Sequence, residues 1–163
     1  MRTRPVYRNV LVLTDLSGRA AFALPHACAL VAPEGTIHLV HVVERPKTPN
    51  PMYAHYESKV VTPEEKAERK REVEDALLAL VKDCPPPAGV VVQRHVFEES
   101  ANYVAERICA AVTELKADIV VMASHGRSGL ARILLGSIAE GVMRQCPVPT
   151  LVVRVPDSEL SKD

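Results

Sequence analysis

The sequence lacks net charge, because its Lys and Arg residues and its Asp and Glu residues number 20 each. Proteins that coat nucleic acid usually carry a basic excess, so we expect no nucleic-acid partner. No apolar run approaches the roughly 20 residues that a membrane-spanning helix needs. The basic N-terminus is not followed by a long apolar segment with a cleavage site, so we expect neither a signal peptide nor a membrane partner.

The sequence also lacks the cysteine spacing of a metal site. Its cysteines are Cys28, Cys84, Cys109 and Cys146, which lie far apart and form no CxxC motif. Two of them fall in apolar helical patterns, where a free thiol packs as a small hydrophobe. We expect a reducing, cytoplasmic chain without disulfides.

The histidines do not complete a metal site either. We place His38 and His41 on one face of a strand, and His95 lies on a later strand. No cysteine or acidic ligand accompanies them at a diagnostic spacing, so packed or surface histidines are favoured and no metal is expected.

Apolar, β-branched runs alternate with helical patterns along the chain. The runs predict strands at residues 10–15, 36–43, 90–96, 119–123 and 150–154. The patterns between them predict helices at residues 19–32, 63–82, 101–115 and 136–144. This alternation is typical of an α/β fold with a mostly parallel sheet and right-handed crossovers. We predict one domain over residues 1–163, with an ordered core at about 6–155 and a long Pro-rich loop at 44–62.

Several residues predict where helices begin and end. Thr62, followed by Pro63 and Glu65, is typical of a capping box, and the helix after it presents a charge-mixed, solvated face. Ser100 is predicted to cap the next helix. Pro25 should bend the first helix or mark a shorter first turn, and Pro33 should help to end it.

Ligands of open α/β sheets bind beyond the carboxyl ends of the strands. The candidate segments are therefore 14–17, 42–44, 97–100 and 123–126. The last is the most informative, because it leads through a small, polar loop into the helix that opens at Gly136.

Three kinds of residue in that loop suit a phosphate group. Glycine lets the backbone approach a ligand, hydroxyls donate hydrogen bonds, and arginines add positive charge. These residues are Gly126, Gly129, Gly136, Ser124, Ser128, Ser137, Arg127 and Arg132. The loop matches neither the Walker A motif nor G-x-G-x-x-G. From spacing alone, an ordinary loop capped by Ser137, with solvated arginines, is an equal alternative.

The stretch from Ala123 to Glu140, followed by Cys146-Pro-Val-Pro-Thr-Leu-Val-Val-Arg154, resembles the universal stress protein family. So do the opening Val10-Leu-Val-Leu-Thr-Asp15-Leu-Ser17 and the segment 41–43 at the end of the second strand. The resemblance covers nearly the whole chain in the right order. It implies a Rossmann-like three-layer sandwich with five parallel strands in the order 3-2-1-4-5 and helices on both faces. It also implies a homodimer that forms through the last strand, at 149–155.

The resemblance further implies ATP, or another adenine nucleotide, as the ligand. ATP-binding members carry two glycines separated by two residues, then nine residues, then Gly-Ser or Gly-Thr. Here Gly126 and Gly136-Ser137 match, whereas Ala123 replaces the first glycine and adds a Cβ. Glu98 and Glu99 stand where the family often has a Gly-x-Pro step, which brings two carboxylates near the expected pocket. The implied binding residues are Thr14, Asp15, Val42, Ala123, Ser124, His125, Gly126, Arg127, Gly129, Gly136, Ser137 and Ile138.

Asp15 has a structural alternative, because aspartate often forms turns or caps helices. His125 has no nucleophile with an acidic partner arranged around it, so no catalytic residue is predicted. No general base or Mg²⁺-binding carboxylate stands out, so at most slow ATP hydrolysis is expected and Mg²⁺ is left open.

The sequence therefore predicts a homodimeric, ATP-binding regulatory or stress-response protein that is not an enzyme. The alternative is a family member without tight nucleotide binding that acts as a protein-interaction module, which Ala123 and Glu98-Glu99 motivate. A weaker third hypothesis is an enzyme whose substrate enters under the loop that carries Tyr53 and Tyr56.

Overall fold

A parallel five-stranded sheet organises the chain. The computed structural model describes residues 5–18, 20–45, 62–124 and 136–155. The strands are β1 (Tyr7–Leu13), β2 (Val31–Arg45), β3 (Val91–Ser100), β4 (Ile119–Ala123) and β5 (Thr150–Val153). The helices are α1 (Ala23–Leu30), α2 (Pro63–Asp83), α3 (Val104–Glu114) and α4 (Ser137–Gln145). None of the described helices combines the length and the apolarity that crossing a bilayer requires.

The strands pair in the order β3-β2-β1-β4-β5, and every pair is parallel. This order confirms the predicted fold. The central strands β1 and β4 are buried on both faces, as Val10, Leu11 and Val120 show with no exposed surface. Continuous burial of this kind is why both strands appear in the sequence as unbroken apolar runs.

Helices cover both faces of the sheet. Leu24 of α1 and Leu77 of α2 pack in one core cluster with Val10 and Val12 of β1. Ile108 of α3 packs in the opposite cluster, together with residues of α4 and Leu11 of β1. Full burial of a leucine or isoleucine side chain contributes roughly 1.5–3 kcal/mol, so these two clusters fix the three layers.

The start of α2 is the predicted capping box. The Glu65 N–H donates to Thr62 Oγ1 at 3.2 Å, and the Thr62 N–H donates to Glu65 Oε2 at 2.9 Å. Pro63 occupies the first turn, where a helix needs no N–H donor. The local sequence thus sets the position at which this helix begins.

The first helix is shorter than predicted. A 3₁₀ turn at Ala20–Phe22 precedes α1, so Pro25 falls in the first turn and does not interrupt a helical hydrogen bond. The second strand then begins directly at Val31 and is longer than predicted. Its early part is irregular, because the register against β1 shifts there and Glu34 has a left-handed φ of 59°.

The prediction that Ser100 caps the next helix is wrong. Ser100 ends β3, its side chain makes no capping hydrogen bond, and a 3₁₀ turn at Ala101–Tyr103 comes before α3. The Ser100 N–H instead donates to Glu99 Oε1 at 2.7 Å. The pairing of β2 with β3 continues as far as Arg45 and Ser100, which is why β3 is longer than the sequence predicted.

Candidate functional site

A cavity of about 860 Å³ lies at the carboxyl ends of the central strands. This volume falls in the range of small-molecule sites, roughly 300–1,000 Å³. The structure brings together at this cavity the predicted residues Thr14, Asp15, Val42, Ala123, Ser124, Gly136, Ser137 and Ile138. The predicted residues His125, Gly126, Arg127 and Gly129 lie outside the described residues, as do Ser128, Arg132, Tyr53 and Tyr56.

Thr14 shapes the turn at the end of β1. It is 3 % exposed, and its N–H donates to the carbonyl oxygen of Val40 at 3.0 Å. Its Oγ1 accepts the N–H of Leu16 at 3.0 Å, and Leu16 has a left-handed φ of 62°. The Thr14 carbonyl lies 2.8 Å from Nδ1 of His41. Thr14 therefore holds the tight turn after β1 against β2, at the cavity wall.

Asp15 uses only one of its carboxylate oxygens within the described structure. Oδ1 accepts the Ser17 N–H at 3.0 Å and the Ser17 hydroxyl at 2.5 Å, which closes a turn. Oδ2 is buried and has no hydrogen-bond partner. A buried carboxylate oxygen without a partner is costly, so it favours a ligand that donates a hydrogen bond. Asp15 can therefore form the turn through Oδ1 and remain available to a ligand through Oδ2.

Ala123 ends β4 with ordinary strand geometry. It pairs with Val153 of β5, and the next residue, Ser124, donates its N–H to the Val153 carbonyl at 2.9 Å. Among the described non-glycine residues, left-handed φ values belong to Leu16, Glu34 and Lys116. Ala123 is therefore unstrained, and its departure from the glycine pattern consists of one added Cβ at the cavity.

The first turn of α4 forms another wall of the cavity. Gly136 is the N-cap, and no side chain of the described residues caps the helix there. The alternative in which Ser137 caps this helix is therefore wrong, because Ser137 is already its first residue. A Cβ on Gly136 would meet nothing within 4 Å. The first N–H groups of a helix have no acceptor within the helix and favour an anion.

Further charged side chains line the cavity among the described residues. Glu44 lies near the end of β2, in the predicted candidate segment 42–44, whereas Arg69 and Glu72 of α2 were not predicted. The charge-mixed pattern of α2 suggested only a solvated face, since the position of that helix over the strand ends depends on tertiary packing. The three-residue spacing of Arg69 and Glu72 was the one feature of the sequence that could have indicated a shared position, because it places both on one side of the helix.

Glu98 and Glu99 are not among the described residues that line the cavity. Glu98 Oε2 lies 3.7 Å from Arg45 Nε, and both side chains are more than half exposed. Glu99 accepts the N–H of Ser100. Both residues belong to the extended part of β3, on the strand next to Val43 and Glu44 of the cavity wall.

The three histidines of β2 and β3 do not share one face. His38 Nδ1 lies 3.1 Å from His95 Nε2 on the side of α3, whereas His41 lines the cavity on the other side. Burial, together with the charge of His95, lowers the pKa of His38, and burial lowers the pKa of His95. Within the described ranges, no group of three or more His, Cys, Asp or Glu residues is arranged for a metal ion.

Comparison with known proteins gives one consistent result. The sequence model described as the Universal stress protein family matches residues 6–154. A similar curated protein is universal stress protein MJ0531 of Methanocaldococcus jannaschii, at 29 % identity over 156 residues, which cover 94 % of this chain and 86 % of that one. A putative universal stress protein of Staphylococcus aureus is 25 % identical over 151 residues, covering 91 % of this chain and 84 % of that one.

Solved structures agree with this result. Hypothetical protein MJ0577 superimposes with a TM-score of 0.75 at 26 % identity, covering 94 % of this chain and 99 % of that chain. Universal stress protein UspA from Lactobacillus plantarum has a TM-score of 0.67 at 18 % identity, and the match covers 93 % of this chain and 100 % of that chain. A universal stress protein in complex with cAMP has a TM-score of 0.55 at 22 % identity, and the match covers 91 % of this chain and 98 % of that chain. The last two, at these identities, support the fold alone.

Proposed function

The chain belongs to the universal stress protein family, and from this premise we propose that it binds an adenine nucleotide, with ATP as the principal ligand. The observation that carries the proposal is the cavity, which joins the buried, unpartnered Oδ2 of Asp15 to the uncapped first turn of α4. A nucleotide has hydroxyl donors at its ribose and negative charge at its phosphates. These two kinds of group complement the carboxylate oxygen of Asp15 and the N-terminus of α4.

Asp15 and the N-terminus of α4 are each assigned to one part of the nucleotide. Asp15 Oδ2 accepts a hydrogen bond from the nucleoside, and the backbone of Val42 lies next to the base. The N–H groups at Ser137 and Ile138 bind phosphate, supported by the glycine pattern that Gly126 and Gly136 share with ATP-binding members of the family. One protein with this fold is a universal stress protein in complex with cAMP, and the proposal extends that class of ligand to the present chain.

The proposed role is regulatory, in the response of a cytoplasmic homodimer to stress, with at most slow ATP hydrolysis. No motif of a fast phosphoryl-transfer enzyme occurs in the sequence. We expect phosphate release from ATP to stay near the rate of the protein-free solution. Multiple turnovers per minute in a phosphate-release assay would contradict this part of the proposal.

A second candidate function is a protein-interaction module without tight nucleotide binding. Ala123, Glu44 and Glu72 favour it, because all three residues line the cavity and the two carboxylates oppose phosphate. The third hypothesis, an enzyme beneath the loop of Tyr53 and Tyr56, receives no support from the described residues.

Calorimetric titration distinguishes the first two functions. We expect saturable binding of ATP at or below millimolar concentration, with weaker binding of a nucleotide that has another base. Absence of binding by ATP, ADP, AMP and cAMP at millimolar concentration would contradict the proposal and favour the interaction module. Adenine nucleotide that stays bound to freshly purified protein would count against the module.

A further inference from the structure

Two cysteines that are 37 positions apart in sequence meet between α3 and α4. The Sγ atoms of Cys109 and Cys146 are 2.7 Å apart. Both cysteines are free thiols, and both side chains are half-buried. The wide spacing of the cysteines in the sequence concealed this pair, because the contact depends on the packing of two helices against one face of the sheet.

The pair belongs to a close seam between the two helices. A Cβ built on Gly141 of α4 would lie 2.7 Å from the Cβ of Ala105 on α3. The small residues at this contact let the helix backbones approach. Cys109 lies one turn after Ala105 on α3, and Cys146 lies at the end of α4. Their meeting therefore follows from the same packing that brings Gly141 against Ala105.

We propose that Cys109 and Cys146 form a redox-active dithiol, which hydrogen peroxide converts into a reversible intrachain disulfide between α3 and the end of α4. The present sulfur separation exceeds a disulfide bond length by roughly 0.7 Å. The N–H of Cys146 donates to the Val142 carbonyl at 2.8 Å, which holds this cysteine at the helix terminus.

The reaction consumes one peroxide for each disulfide. The thiolate of Cys109 attacks a peroxide oxygen, so an S–O bond forms, the O–O bond breaks, and the departing hydroxide takes a proton to become water. The sulfur of Cys146 then attacks the sulfenic sulfur of Cys109. The S–S bond forms, the S–O bond breaks, and the hydroxyl leaves as water with the proton of Cys146. Two electrons pass from the sulfurs to the peroxide oxygens.

The two sulfurs have different roles in the proposed reaction. Burial, followed by the hydrogen bond with Cys109 and by its charge, raises the pKa of the Cys146 thiol to about 12. Cys146 therefore keeps its proton at neutral pH and acts as the resolving thiol. It loses that proton as it attacks the sulfenic acid.

The other two cysteines provide an internal comparison. Cys28 of α1 shares a side-chain hydrogen bond with Cys84 at the end of α2, and burial is the main cause that raises the pKa of Cys28 to about 11. Both pack against the core on the opposite face of the sheet. A clean test must therefore remove this pair and keep Cys109 and Cys146.

The experiment exposes the Cys28→Ser/Cys84→Ser variant to hydrogen peroxide and maps its peptides by mass spectrometry. We expect one linked peptide that joins Cys109 to Cys146, with a loss of two hydrogens per chain that dithiothreitol reverses. We also expect Tm to rise by roughly 5–15 °C, as for a disulfide that closes a loop of this length. The same digest of the wild-type protein must contain the linked peptide, which keeps the test valid if the variant fails to fold.

Removing the resolving thiol as well gives the matched control. In Cys28→Ser/Cys84→Ser/Cys146→Ser, dimedone should capture sulfenic acid at Cys109, and no intrachain disulfide should form. The proposal is overturned if Cys109 and Cys146 in the oxidised protein carry only added oxygen, stay reduced, or link separate chains.

Discussion

At the scale of single residues, Asp15 is the most informative position. One carboxylate oxygen accepts hydrogen bonds from Ser17, and the other is buried without a partner beside the cavity. The turn and the ligand therefore do not compete for the same atom. A substitution that changes the second oxygen but keeps the first separates the two roles.

Asp15→Asn is such a substitution. The amide oxygen can still accept from Ser17, whereas an NH₂ group replaces the acceptor at Oδ2. Losing a hydrogen bond to a charged group costs roughly 1.5–3 kcal/mol, so the affinity for ATP should fall about 10- to 100-fold. Calorimetric titration measures this loss, with Asp83→Asn at the exposed end of α2 as the matched control. Equal affinities for the two variants would remove Asp15 from the site.

Ala123→Gly tests whether the added Cβ weakens binding. Because Ala123 has strand geometry and pairs with Val153, we expect less than about threefold gain in ATP affinity and a loss of roughly 0.5–1 kcal/mol in stability. Titration and thermal unfolding measure the two quantities. A gain of tenfold or more would instead favour the interaction module, in which this Cβ has closed the site.

The residues at the strand ends were predictable, whereas those contributed by α2 were not. The segments at Asp15, Val42 and Ala123 follow apolar runs, and a parallel sheet brings such segments to one edge. Arg69 and Glu72 reach the same cavity from a helix whose sequence indicates solvent exposure. Only the three-dimensional position of α2 relative to the sheet makes them part of the site.

At the scale of elements, the sequence predicted the ends of those helices and strands that are determined by residues close to them in the chain. The capping box of Thr62 and Glu65 predicted the start of α2, and the strand predicted at 119–123 has the same bounds as β4. The predicted start of α3 was wrong. The Glu99 carboxylate and the continued pairing of β3 with β2 keep Ser100 in the strand. Such competition between strand pairing and capping is not visible from spacing alone.

The contact between His38 of β2 and His95 of β3 predicts that stability depends on pH. Burial lowers the pKa values of His38 and His95, so the unfolded chain binds protons more readily than the folded protein does. The free energy of unfolding should therefore be fully retained above pH about 6.5 and should fall as the pH drops below it. Urea unfolding at a series of pH values measures this slope.

Replacing both histidines provides the check on that prediction. His38→Gln/His95→Gln should flatten the slope between pH 6.5 and more acidic conditions, whereas His26→Gln, on the exposed side of α1, should leave it unchanged. An unaltered slope in the double variant would show that other groups produce the acid sensitivity.

At the scale of the whole molecule, the order of the strands places β5 at one edge of the sheet and β3 at the other. An apolar edge strand presents backbone groups that invite pairing with a second chain. We therefore expect a dimer through residues 149–155 at micromolar concentration. Sedimentation equilibrium that shows only monomer would contradict this expectation.

Charged substitutions at the two edges locate the interface. Leu151→Lys on β5 should dissociate the dimer, because it places a charge on the pairing strand. Val91→Lys on β3, where the valine is 53 % exposed, should leave the dimer intact. Thermal unfolding of both variants controls for loss of the fold, and a dimer that survives Leu151→Lys would require another interface.

The central claim is that an adenine nucleotide occupies the cavity at the carboxyl ends of β1 and β4. An NMR titration of ¹⁵N-labelled protein with ATP tests ligand and location together. We predict saturable shifts of the backbone amides of Asp15, Ser124 and Ser137, with Gly89 and Asp118 at the opposite end of the sheet unmoved. No shift at millimolar ATP, or shifts confined to that opposite end, would contradict the account.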